Sequence, residues 1–323
     1  MLRMRQWLAG LAAVVSLLWL PVSGLAAQQS AVLSGVEKQA YISAQMNDFW
    51  QKKKPIEAFA VPEGWQWEKL NVDGAKAELL KAEEKQSDRV LLHLHGGGYV
   101  AGLNDFYRRE ALKDAQLVEA SAVYSVDYRL APKYVYPAAL EDAVKIYQHV
   151  LAQGVEPHNI VVLGDSAGGN LAVALSLYLK DHNLPQPAAL VLQSPWADFE
   201  HKQGTSRYAN EDKDQVLGLG TPLNGAVKKP LYAGELALDD PRLSIINADL
   251  SSLPPMLIQA GGNELFLTEC QELAQKAAAD GVNVTLSVYE GMPHDFAVLL
   301  PQMDDSLKSM QEIRAFTDRY TGK

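Results

Sequence analysis

The chain is expected to fold as an α/β domain built on a mostly parallel central sheet with helices on both faces. Three observations predict this. Short apolar runs that read as buried strands alternate with longer segments of helical period from residue 89 onward. The chain has 323 residues, 48% hydrophobic and 21% charged, which suits one large domain with its own core. Two glycine-rich motifs each stand at the end of an apolar run, the place where open sheets carry their chemistry.

Residues 30–54 have a helical pattern, with Val36, Ala40, Ile42 and Phe49-Trp50 among the apolar positions and Pro55 as the stop. Residues 70–80 alternate in part around Asp73-Gly74 and predict a hairpin. Strands are then expected at 89–95, 122–127, 160–163, 188–193, 255–260 and 282–289. Helices are expected at 107–119, 137–152, 167–180, 268–280 and 303–320, the second with Pro137 in its first turn. Such alternation requires parallel strands joined by helical crossovers. The rhythm breaks over 199–246, a polar stretch holding Gly204, Gly218, Gly220, Gly225 and Gly234. It reads as an insertion that joins the N-terminal helix to form a cap (about 30–55 and 199–246) on a single domain spanning 28–323.

The net charge of −10 repels phosphate backbones and argues against nucleic acid as a partner. Lys52-Lys53-Lys54 is too short to be more than a solvated face. Residues 1–27 carry Arg3 and Arg5, an apolar run from 7 to 20, and small residues at Gly24-Leu25-Ala26-Ala27. This is the pattern of a secretory signal peptide, with an uncleaved anchor as the alternative, and the run is short for a membrane span. Its removal takes away two arginines and moves the charge from −10 to −12. A periplasmic or secreted protein without stable membrane insertion is therefore expected. Cys270 is the single cysteine, so no internal disulfide can form. It is expected to be buried and inert.

Gly164-Asp165-Ser166-Ala167-Gly168-Gly169 lies between an expected strand and an expected helix. A G-x-S-x-G in that setting puts a serine nucleophile on a sharp elbow, with glycines where side chains would collide. The competing reading is a glycine-rich turn holding phosphate, although no P-loop lysine follows. His95-Gly96-Gly97-Gly98 closes the strand at 89–95. Its backbone N–H groups suit an oxyanion hole, and Gly97, Gly98 and Ala167 are the expected donors. The competing readings are a plain turn, or metal ligation by His93 and His95 on one strand face. Zinc needs a third ligand, and none is compelling. No metal or cofactor is expected.

A serine hydroxyl needs a base, and with this kind of elbow the chain order is serine, acid, histidine. His294, in Glu290-Gly291-Met292-Pro293-His294-Asp295-Phe296, is the late histidine just past a strand. His149, His158, His182 and His201 stand in helical or polar stretches and read as surface groups. The acid should follow the strand at 255–260, in Gly261-Gly262-Asn263-Glu264-Leu265. Glu264 is the carboxylate there, and Glu269, a turn into the next helix, is expected to face solvent.

Taken together these motifs resemble the hormone-sensitive-lipase family of α/β-hydrolases, in its bacterial carboxylesterase branch. Further runs carry the resemblance: Asp127-Tyr128-Arg129-Leu130-Ala131-Pro132, Tyr136-Pro137-Ala138-Ala139-Leu140-Glu141-Asp142-Ala143, Ser194-Pro195-Trp196-Ala197-Asp198 and Leu253-Pro254-Pro255. The likeness extends from about Leu91 to Phe296. Many members carry aspartate where this chain has Asn263, and others carry glutamate one position later, where it has Glu264. The resemblance implies a Ser166–His294–Glu264 triad, a small-molecule ester substrate with a short acyl chain, and a monomer or homodimer. It implies structural roles for Asp127, Arg129 and Asp142. Two other readings stay open: an amidase or deacylase with the same triad, and a non-catalytic ligand-binding protein on the same scaffold.

Overall fold

The computed structural model describes residues 32–51 and 56–321. The expected signal segment, Lys52-Lys53-Lys54 and the helix stop at Pro55 lie outside these residues. One helix precedes the sheet, α1 (Gly35–Trp50), and eight strands follow in a single sheet. They are β1 (Trp65–Val72), β2 (Ala75–Ala82), β3 (Val90–Leu94), β4 (Ala122–Asp127), β5 (Ile160–Asp165), β6 (Ala189–Gln193), β7 (Met256–Gly261) and β8 (Val284–Tyr289). The order is β1-β2-β4-β3-β5-β6-β7-β8. β1, β2 and β4 pair antiparallel, and every pairing from β4 to β8 is parallel.

The parallel strands are connected in chain order by α2 (Asp105–Leu117) from β3 to β4, α3 (Ala138–Ala152) from β4 to β5, α4 (Ala167–Asp181) from β5 to β6 and α7 (Leu267–Ala279) from β7 to β8, with the insertion between β6 and β7. Two short helices, α5 (Ser206–Ala209) and α6 (Asn224–Lys228), lie in the insertion, and α8 (Phe296–Leu299) and α9 (Asp304–Tyr320) close the chain. The expected elements thus form, with ends moved by a few residues. The hairpin turns on Asp73-Gly74, both at positive φ (49° and 88°), which suits the twist of a two-residue turn. Asn104 caps α2 by accepting from Phe106 N at 2.8 Å, which satisfies a first-turn donor.

The strand period of two divides the interior into two cores. Leu92, Leu94, Val162, Leu190, Leu192 and Ile258 face α3, α4, α7 and α1. Leu91, Val161, Leu163, Val191 and Leu257 face α2 and α9. β5 is buried along its whole length, as a central parallel strand should be. Its C-terminal end carries Asp165, so the residue that follows is held by packing on both faces of the sheet.

Candidate active site

Ser166 is the single residue between β5 and α4, with φ 51° and ψ −115°. A non-glycine residue at positive φ is strained, and the surroundings hold it there. Its N–H donates to Gln193 O at 2.9 Å, and its carbonyl accepts from Trp196 N at 3.0 Å. Glycine is obligatory around it for lack of space. A Cβ on Gly168 would stand 1.8 Å from Leu94 O, and one on Gly164 would stand 2.3 Å from Gly168 O.

The Gly96–Gly98 loop lies against this elbow. Gly96 N donates to Asp165 Oδ1 at 2.8 Å, and Tyr107 OH to Asp165 Oδ2 at 3.3 Å. Burial, reinforced by the charge of Asp295, pushes the Asp165 carboxyl well above the usual carboxylate range. Gly97 and Gly98 both have positive φ (98° and 63°). The amides of Gly97, Gly98 and Ala167 donate to no acceptor among the described residues. Unpaired donors of this kind at a loop and a helix start suit an anion. His95 supports the loop from beneath, with Nδ1 2.8 Å from Gly96 O and its ring stacked 4.2 Å from that of Tyr128. Burial lowers His93 to about 3 and His95 to about 4, so both are neutral. Among the described residues no group of three or more His, Cys, Asp or Glu could hold a metal ion. Asp142 accepts from Arg129 N at 2.8 Å and pairs with its guanidinium at 3.0 Å, which ties the turn after β4 to α3.

His294 stands beyond β8 and brings Nε2 to 2.9 Å from Ser166 Oγ. Three carboxylates surround it. Asp295 Oδ2 lies 3.0 Å from the same Nε2. Glu264, fully buried, accepts from Ser194 Oγ at 2.6 Å and Gly261 N at 2.8 Å. Asp214, from the insertion, accepts from Leu265 N at 2.8 Å, Val216 N at 3.0 Å and His294 N at 3.4 Å. His294 Nδ1 is buried and has no hydrogen-bond partner among the described residues. Glu264 therefore acts on the imidazole through its charge rather than through a hydrogen bond. Burial pulls the His294 pKa down, but Asp295 by charge and contact, then Glu264 and Asp214 by charge, outweigh it and push it up to about 9. Burial likewise raises the Glu264 carboxyl, while the His294 imidazolium, the Ser194 hydroxyl and the Gly261 amide favour its ionised form.

The sequence reading overlooked Ser194, Asp214 and the part played by Asp295. Ser194 Oγ donates to Glu264 and accepts from Asp295 N at 3.1 Å, linking the acid loop to the histidine loop. Adjacency to His294 was the available signal for Asp295. Asp214 had none, standing in a stretch without period. Glu269 corrects an expectation: it is buried, not solvent-facing. It pairs with Arg207 at 2.7 Å and accepts from Ala197 N at 2.9 Å, because the insertion folds Arg207 back over α7. Trp196 and Phe199 belong to the core, whereas Phe49 and Tyr208 are exposed. Cys270 is buried, its thiol held well above its usual pKa by burial and by Glu264.

Both loops are tied to α1. Lys38 Nζ donates to Glu290 O at 2.6 Å, and Gln39 Nε2 to Gly291 O at 2.7 Å. Asn263 Nδ2 donates to Gln39 Oε1 at 3.3 Å. α1 also meets the insertion, through Trp50 Nε1 to Gln215 O at 2.9 Å.

A family model described as the alpha/beta hydrolase fold matches residues 91–298. An esterase of Acinetobacter venetianus is 31% identical over 247 residues, 76% of this chain and 80% of that protein. An acetyl-hydrolase of Streptomyces hygroscopicus is 37% identical over 246 residues, 74% of this chain and 78% of that one. The crystal structure of an esterase from the bacterial hormone-sensitive lipase family superposes with a TM-score of 0.78 at 31% identity, covering 90% of this chain and all of the other. The chain belongs to the hormone-sensitive-lipase family of α/β hydrolases. In this hydrolase the elbow, the glycine loop and the histidine loop converge on Ser166 at the C-terminal ends of β5, β3 and β8, as open α/β sheets place their chemistry.

Proposed function

We propose that the enzyme is an exported serine carboxylesterase that cleaves short-chain acyl esters through Ser166, His294 and Glu264. The observation that carries this reading is the 2.9 Å contact between Ser166 Oγ and His294 Nε2. It occurs beside three backbone amides, of Gly97, Gly98 and Ala167, that have no acceptor among the described residues. As Ser166 Oγ bonds to the ester carbonyl carbon, its proton passes to His294 Nε2. The carbonyl oxygen becomes an anion facing the three amides, where preorganised donors stabilise it by ~3 kcal/mol each. The carbon–alkoxy bond then breaks, and the alcohol leaves with the proton from Nε2. Water attacks the acyl-serine, His294 takes its proton, and the acid departs as Ser166 recovers it. The negative charge of Glu264 favours the transient imidazolium.

Export rests on the sequence of residues 1–27. Among the described residues no helix is long and apolar enough to cross a membrane. The preference for short acyl chains rests on relatives. One is named an acetyl-hydrolase, and a crystal of the esterase EstE5, 31% identical with a TM-score of 0.74, was soaked with p-nitrophenyl butyrate. The test is hydrolysis of p-nitrophenyl esters of increasing chain length by wild type and Ser166→Ala. Turnover should peak at short chains and fall by at least ~10⁴-fold in the variant. Substantial turnover by a folded Ser166→Ala enzyme overturns the assignment.

A further inference from the structure

We propose that Asp295 is a positioning residue for His294: it holds a proton on Nε2 in the resting enzyme and so sets the pH at which Ser166 has a base. The proposal rests on the reading of Ser166 and His294 given above.

Nε2 faces two oxygens at nearly equal distance, Ser166 Oγ at 2.9 Å and Asp295 Oδ2 at 3.0 Å. An imidazole nitrogen presents either one N–H or one lone pair, and a carboxylate can only accept. Asp295 therefore favours a protonated Nε2, whereas general-base catalysis needs that nitrogen bare. Among the described residues nothing else competes for the Asp295 side chain. Its Oδ1 is buried without a hydrogen-bond partner among the described residues, and Oδ2 meets the imidazole at 3.0 Å. Its backbone is fixed at φ 51° and ψ 34°, a left-handed conformation that aspartate tolerates better than most residues. The Asp295 N–H bond to Ser194 Oγ at 3.1 Å holds it there.

The remaining titratable neighbours do not replace this contact. Glu264, from the loop after β7, is engaged by Ser194 and Gly261 N. Asp214, from the insertion, is spent on backbone amides. Asp165, at the end of β5, is held well above the usual carboxylate range by burial and by Asp295 itself. Tyr107 on α2 and Cys270 on α7 also feel Asp295, and burial keeps both neutral. The base thus forms when the Nε2 proton leaves for solvent. In turnover the proton taken from Ser166 arrives on Nε2 beside Asp295 and goes on to the departing alkoxide.

Replacing Asp295 by asparagine keeps the shape and removes the charge. Asp295→Asn should move the acid limb of the kcat/KM profile for p-nitrophenyl butyrate at least one pH unit lower, so that the variant keeps a larger fraction of its plateau activity at pH 6. In ¹⁵N-histidine-labelled full-length protein, the His294 ring, assigned by its loss in His294→Gln, should titrate at least one unit lower in Asp295→Asn than in wild type. An unmoved limb with an unmoved ring titration overturns the proposal, even if kcat falls. If the variant does not fold, wild type decides alone: a bare Nε2 on His294 at pH 7 overturns it, and a protonated, hydrogen-bonded Nε2 upholds it. The ring titration needs no turnover. A Ser166→Ala enzyme that still cleaves esters therefore refutes the triad reading without deciding this one.

Discussion

Two walls meet at Ser166, and they are made of different material. The nucleophile wall, formed by the glycine loop, β5 and the start of α4, is backbone against backbone. Two of its glycines leave no room for a single added carbon: the Cβ positions of Gly164 and Gly168 fall 2.3 Å and 1.8 Å from carbonyl oxygens. The histidine wall is made of side chains, with Asp295, Glu264, Asp214 and Ser194 arranged about one imidazole. A backbone wall is all or nothing, because a carbonyl cannot rotate away from a clash. A wall of charged side chains is graded, because each carboxylate shifts the same proton by a different amount.

The sharpest way to break the comparison is Gly168→Ala. The methyl group forces β3 and α4 apart, and the expected cost is at least ~3 kcal/mol of stability together with loss of measurable turnover. Chemical denaturation and the ester assay check it. Wild-type stability would mean that the elbow yields, and that the two walls do not differ in kind.

Next in size comes Glu264→Gln. The amide can still accept from Gly261 N, but the charge is gone, so kcat should fall about 10³-fold with the fold intact. Because the Glu264 charge helps hold His294 up at about 9, its loss lowers that pKa. The acid limb of the rate profile should therefore move to lower pH. A loss of less than tenfold would place the supporting charge on Asp214 or Asp295 instead.

The same contrast governs what could be read in the sequence. Strand and helix periods gave nearly every element, and steric need for glycine marked both motifs of the nucleophile wall, because close packing writes itself as residue type. The histidine wall wrote itself only in part. His294 and Glu264 were legible from chain order and from their position after strands. Asp214 was not, because the insertion at 199–246 has no period, and nothing local tells which of its polar groups folds back onto Leu265 and His294. Glu269 was misread as exposed for the same reason: the Arg207 that buries it comes from that insertion. Asp295 was visible as a neighbour of His294, but its contact with Nε2 depends on a left-handed turn that the residue type permits without requiring.

The smallest effect sharpens the comparison most finely. The hydrogen bonds of Lys38, Gln39, Tyr41, Ser43 and Trp50 on α1 go to the histidine and acid loops, the insertion or the segment before α9, and Lys38 also pairs with Asp305 of α9 at 3.0 Å. Gln39→Ala removes the bond to Gly291 O and the one from Asn263, and so loosens His294 and Glu264 together while leaving the elbow untouched. The two bonds are partly exposed and worth ~1 kcal/mol together, so kcat should fall by roughly threefold to tenfold and Tm by about 2–4 °C. The elbow keeps its geometry, so the KM for p-nitrophenyl butyrate should hold and the acid limb of the profile should broaden or shift slightly. A fall in KM-dependent binding with kcat unchanged would mean that α1 acts on the substrate pocket. The histidine wall would then stand without its help, held by Ser194, Asp214 and Asp295 alone.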